Sequence, residues 1–278
     1  TIGSLVTVQN APVTIAATQA INGPSTIRVL PGANANLTLS ASTGINVFTD
    51  VDSLTANVSG TGDIAISENN SLTLAGNVTT ANGSISIVTG TDTTVNSDLN
   101  GTGRITAGGA SGNITLRSNN GSVILNSAAG QVTGSFLNIA AKNDVAVNTN
   151  VTSLAVNVTS AGNTIVINEA NGVLISSNIS TVNGPISITA GLASSGDVTG
   201  SGRISAGTAN VAITNTKGGV SLSVATGQIA ANNLTVTAQN SVAVSTNVTN
   251  VNVTATAFGQ SATIQQTKQR SEEHTSEL

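Results

Sequence analysis

Apolar and polar positions alternate along short stretches of this chain. In an extended strand, Leu137, Ile139 and Ala141 share one face and Asn138 lies on the other. The alternation restarts about every 17 to 23 residues, near Leu37, Leu54, Leu72, Thr94, Ile114 and Leu137. Turn-forming clusters separate the restarts: Ser42-Thr43-Gly44, Ser59-Gly60-Thr61-Gly62, Ala81-Asn82-Gly83, Asn100-Gly101-Thr102-Gly103, Asn119-Asn120-Gly121 and Ala129-Gly130. Each period holds two or three short strands, as in Ser71–Ala75, Ser84–Val88 and Thr93–Ser97. A short strand with one apolar face cannot bury that face alone. Stacked periods give each Val, Ile or Leu a like neighbour roughly 4.8 Å above and below. The pattern predicts an all-β solenoid, a parallel β-helix with one turn per period. About 13 turns would make a rod on the order of 60 Å long.

A longer repeat is laid over the short one. Leu37–Val58, Leu137–Val158 and Leu234–Ala255 match at Leu37/Leu137/Leu234, Leu39/Ile139/Val236, Ala41/Ala141/Ala238, Ile45/Val145/Val242, Val47/Val147/Val244 and Val51/Val151/Val248. Thr49, Thr149 and Thr246 also coincide, and the copies lie 100 and 97 residues apart. Gly101-Thr102-Gly103-Arg104-Ile105 matches Gly200-Ser201-Gly202-Arg203-Ile204, and Gly130-Gln131-Val132 matches Gly227-Gln228-Ile229. Asn82–Ile87 likewise matches Asn183–Ile188. Roughly five turns would make one long repeat. The division that follows is one array over 1–267, with repeats 37–136, 137–233 and a partial 234–267.

Composition sharpens this picture. The chain has 278 residues, of which 7% are charged and 1% aromatic, and it has no Cys, Met, Trp or Tyr. Small inward residues suit a narrow interior that aromatics would overfill. Abundant Val and Ile with little charge argue against disorder. Residues 268–278 read as a non-native or disordered tail, and Arg270–Leu278, RSEEHTSEL, resembles a translated sequencing-library adapter. Without that stretch the chain holds seven basic and nine acidic residues and no His. The weak charge argues against a nucleic-acid surface. No apolar run reaches the roughly 20 residues of a membrane span. Thr1 is not a start methionine and no signal peptide follows it, so the chain reads as a piece of a longer one.

Candidate chemistry is sparse. Without His or Cys, serine-type, cysteine-type and the usual zinc sites are excluded. The acidic residues are Asp50, Asp52, Asp63, Glu68, Asp92, Asp98, Asp144, Glu169 and Asp197. Asp50 and Asp52 share a strand face and are the one close pair, but the sister copies carry Asn150 and Thr152, then Asn247 and Thr249. Asp98 precedes Arg104 by six residues, as Asp197 precedes Arg203, which reads as a charge pair repeated for architecture. Asn-x-Ser/Thr triplets beginning at Asn36, Asn57, Asn77, Asn113 and Asn157 are expected by chance in so Asn- and Thr-rich a chain. Strand parity turns Phe48 and Phe136 outward, as contact points for a partner. No residue is assigned a catalytic, cofactor-binding or metal-binding role, and no cofactor is expected.

The coil Leu-x-Ile/Leu/Val-x-Ala…Val-x-Val-x-Thr at 37–51, 137–151 and 234–248, with its Asn-Gly and Gly-x-Gly turns, resembles the shafts of large exported adhesins of Gram-negative bacteria. These are the filamentous haemagglutinin type and related autotransporter passengers. The resemblance spans nearly all of residues 1–267. It implies a right-handed β-helix, a secreted or cell-surface location and a non-enzymatic role in attachment. It also implies partners among host or cell-surface glycans and proteins. Open ends would favour end-to-end self-association. The alternatives are a β-helix enzyme acting on polysaccharide and a homopolymeric extracellular matrix or surface-layer protein.

Overall fold

The computed structural model describes residues 1–9, 11–30, 35–92, 94–110 and 112–267, so the tail stretch Arg270–Leu278 lies outside the described residues. Among the described residues the chain is all-β, with 25 strands joined in one sheet and no helix. No helix is long and apolar enough to cross a membrane.

The strands fall into two parallel ladders that the chain visits in strict alternation. The first runs Val13, Leu37, Leu54 and then, after a two-residue offset within Leu72–Asn82, Leu72, Leu99, Val123, Val145, Ile165, Ile186, Val211, Leu234 and Val251. The second runs Ile21, Ile45, Ile64, Ile85, Ile114, Leu137, Leu154, Ile175 and then, offset within Val173–Val182, Val198, Val220, Val242 and Ala262. Ile, Leu and Val supply nearly every place. β-Branched side chains fit the pleated backbone, and a parallel register sets each directly beside its like. From Ile21 to Ile175 every member of the second ladder is buried. Leu137, Ile139 and Ala141 are buried and Asn138 is exposed, as their alternation requires.

A third column supplements the two ladders, and it changes place. It begins as Val6, Ile27, Thr49 and Glu68, on strand ends that follow the second ladder. It resumes as Ala56, Val78, Ile105, Val132, Thr149 and Glu169, following the first ladder. Its last stretch is Val156, Ile179, Ile204, Ile229, Thr246 and Gln266, again following the second. Each resumption opens at a register shift, between Leu54 and Ala56 or between Leu154 and Val156. The long repeat is therefore the spacing from one such column to the next: Ala56 and Val156, which open two of them, stand 100 residues apart.

Two expectations are corrected by this register. The long repeat covers four returns to a ladder and a fraction, because Leu37 and Leu234 stand in one ladder and Leu137 in the other. Thr94–Ser97, expected to belong to a strand, forms a turn and a bend followed by irregular chain, the Asp92 carboxylate having captured the Thr94 backbone N–H and hydroxyl. Thr93 lies outside the described residues. Asn side chains bond across neighbouring returns of the chain: Asn250 donates to Asn233 and Asn233 to Asn210, at 2.7 and 2.8 Å.

Because Ile114 is buried between Ile85 and Leu137, Ile114→Ala is expected to destabilise the chain by about 2–5 kcal/mol in urea denaturation. Thr115→Ala, on the exposed side of the same strand, is expected to stay within about 0.5 kcal/mol of the parent.

Candidate functional site

The chemistry of this chain gathers where the third column stops. Along a strand, backbone N–H and C=O groups point to the neighbouring strands, and a strand that ends leaves its neighbour's groups without partners. Glu68 replaces the missing strand with its side chain. It is fully buried, and its carboxylate accepts the N–H of Val51 at 3.2 Å, Asn69 at 2.8 Å and Asn70 at 3.3 Å. Glu169 does the same one repeat later, accepting the N–H of Val151 at 3.2 Å and Asn171 at 3.2 Å and the Thr149 hydroxyl at 2.8 Å. The Thr49 hydroxyl is buried beside Glu68 but makes no bond of good geometry. In the third copy Gln266 stands in the same place: it accepts from the Thr246 hydroxyl, and its amide donates to the Val248 carbonyl at 2.5 Å.

Burial raises the pKa of both carboxyls, since a charge deprived of water costs more than the neutral acid. For Glu68 the burial outweighs the Thr49 hydroxyl and the backbone N–H groups and pushes the value up to about 7. Glu169 moves in the same direction for the same reason, against the Thr149 hydroxyl and backbone N–H groups. No metal-holding cluster of His, Cys, Asp and Glu is present among the described residues.

Four of the remaining acidic residues bond to the backbone of a neighbouring return of the chain. Asp63, Asp98, Asp144 and Asp197 each precede a strand, and each Oδ1 accepts a backbone N–H at the matching place one strand on. The donors are Ser84, Ser122, Thr164 and Gly219, all at 2.7 Å. Asp50 pairs with Arg28 at 2.8 Å and accepts from Asn70, while Asp52 is exposed, so the two do not act together. The Asp98–Arg104 pair expected from the spacing does not form. Arg104 instead donates to the Ala129 and Gly130 carbonyls at 3.1 Å, and Arg203 to the Gly227 carbonyl at 3.0 Å. A guanidinium offers several donors in a fixed fork, which suits clustered loop carbonyls.

Two motifs repeated in the sequence meet in space. The buried Gln131 donates its amide to the carbonyls of Gly101 and Gly103 at 2.9 and 2.8 Å and accepts the Ser127 N–H at 2.9 Å. Gln228 does the same to Gly200 and Gly202 at 2.8 and 2.9 Å, accepting from Val224. The glycines are needed on the other side, against the preceding return of the chain: a Cβ on Gly101, at φ 126°, would stand 2.4 Å from the Leu74 carbonyl oxygen. Spacing alone had shown both motifs recurring but not that they touch.

A recess of about 630 Å³ lies beside the end of the second third-column and is lined by Thr133, Asn150, Thr152, Asn171 and Thr199 with a single carboxylate, Asp197. That carboxylate already holds Gly219. Phe48 is 47% exposed and Phe258 fully so, whereas Phe136 is only half-buried. Comparisons with protein-family models, curated proteins and solved structures return no match.

Two outcomes follow. A carboxyl whose folded pKa lies above its unfolded value favours the fold while protonated, so its contribution is complete below about pH 4.5 and fades as pH rises through about 7. Denaturation at pH 5 and pH 8 is expected to show the chain less stable at pH 8, with Glu68 contributing on the order of 3 kcal/mol to the difference. Glu68→Gln is expected to flatten that part of the profile. Gln131→Ala strands the Gly101 and Gly103 carbonyls and is expected to lower stability by about 2–4 kcal/mol in the same measurement, independently of pH.

Proposed function

We propose that this chain is a structural shaft segment of a secreted or surface-exposed protein of a Gram-negative bacterium, of the adhesin type, and that its ladders wind into a right-handed parallel β-helix. The observation that carries the reading is the way polar chemistry is used. Glu68 and Glu169, Asp98 and Asp197, Arg104 and Arg203, and Gln131 and Gln228 bond to backbone, and the members of each pair stand one long repeat apart. A polar side chain spent on backbone and used again one repeat later supports extension, not a single reactive centre. Strict alternation between two ladders with a third column beside them is what a chain coiling round one axis produces. Such a rod works mechanically: stacked returns give reach, and weak contacts repeated along it add by avidity.

An enzyme acting on polysaccharide would need carboxylates or basic groups converging in one cleft. The recess of about 630 Å³ offers one engaged Asp, which favours the shaft. Attachment and export remain parts of the proposal, motivated by the repeat's resemblance to exported shafts.

Two measurements test it. Small-angle scattering is expected to give an elongated particle with a longest dimension of roughly 55–65 Å, from twelve visits to each ladder at about 4.8 Å each. A near-spherical particle would remove the β-helix. Antibodies against the chain are expected to label intact cells that make it; labelling confined to permeabilised cells would remove the surface role.

A further inference from the structure

The three copies of the long repeat share a scaffold, so a place where one copy departs from the others without any need of the fold marks a separate use. The outward residues at the end of the first third-column are such a place. Arg28 stands beside Asp50 in register; the matching pairs are Thr133 with Asn150 and Ala230 with Asn247. Phe48 lies on the same strand as Asp50, where the sisters carry Asn148 and Ser245. The ladders continue unbroken through those simpler residues, so neither the ring nor the ion pair is required for folding.

We infer that Phe48, Arg28 and Asp50 form a binding site for a neutral saccharide. The three residues line an open recess of about 240 Å³ with Thr26, Ser67 and Asn69. That is below the roughly 300–1,000 Å³ of drug-sized pockets and suits one or two sugar rings. The chemistry selects the ligand. Phe48 is half exposed and, with the exposed Leu5 that also lines the recess, presents an apolar surface to the C–H side of a pyranose. The Arg28 Nε–Asp50 Oδ2 contact of 2.8 Å neutralises both charges, so the recess attracts neither anion nor cation. The half-exposed guanidinium still has further N–H donors, and the carboxylate further lone pairs. Sugar hydroxyls, which donate and accept at once, satisfy both. Ser67, Asn69 and Thr26 add polar groups at the rim. The site is shallow, so single-site binding is weak, and it gains from presentation on many rods.

The test is saturation-transfer NMR on the whole chain, with methyl α-mannoside, methyl β-glucoside, methyl β-galactoside and N-acetylglucosamine as probes at millimolar concentration. Transfer is expected to the ring C–H protons of at least one of the four. It is expected to be lost in Phe48→Asn and weakened in Arg28→Thr, both with the parent's thermal midpoint, because the sister copies carry those residues. Arg28→Thr leaves the ring in place and decides the matter should Phe48→Asn lower the midpoint. No transfer to any probe, or transfer undiminished in both variants, overturns the proposal. Neither result bears on particle length, so this site and the shaft reading fail separately.

Discussion

Everything in this molecule depends on like standing beside like in parallel register. A strand of five residues with two or three inward aliphatic side chains buries too little to persist alone. Set between two neighbours of the same kind, its backbone groups are paired on both sides and its apolar face is covered. Ile64, Ile85 and Ile114 show the result: three separate segments, each fully enclosed, each supported by the next. Contacts are mostly between successive returns of the chain to a ladder, and the enclosed side chains join into one continuous apolar cluster from Ile21 to Val248.

The third column makes the arrangement more than a uniform stack. Moving a column from one side to another requires that one strand edge stop while another begins, and both events expose backbone. The opening is handled by register shifts after Leu54 and Leu154. The stop is handled by a carboxyl beside a threonine, at Glu68 and Glu169, and Gln266 takes the matching place beside Thr246. Glu and Gln have the same shape and both reach the orphaned backbone groups. They differ in that the acid must lose its proton in a dry place. Burial thus ties the first two column ends to pH.

The same logic accounts for the rest of the polar side chains. Backbone turned out of a strand at a corner needs partners, and Gln131, Arg104 and the strand-preceding aspartates provide them. Charges that spacing suggested would meet each other are bonded to carbonyls and amides instead, because a corner offers many of those and the opposite charge lies elsewhere. Phe48, Arg28 and Asp50 of the first copy stand outside this rule, as a departure from the repeat.

The sequence by itself determined the strand class, the inward and outward faces, the short period and the long repeat, since alternation and β-branched composition are local properties. It also exposed the Gly-x-Gly-Arg and Gly-Gln motifs and the outward place of Phe48. Only the tertiary structure decided that those two motifs clasp each other, that Glu68 and Glu169 are buried and that Asp98 and Arg104 stay apart. It alone showed that the repeat matches the spacing from one third column to the next. Each of these depends on which strand edge lies next to which, a relation between segments 17 to 30 residues apart that no local pattern of hydrophobicity encodes.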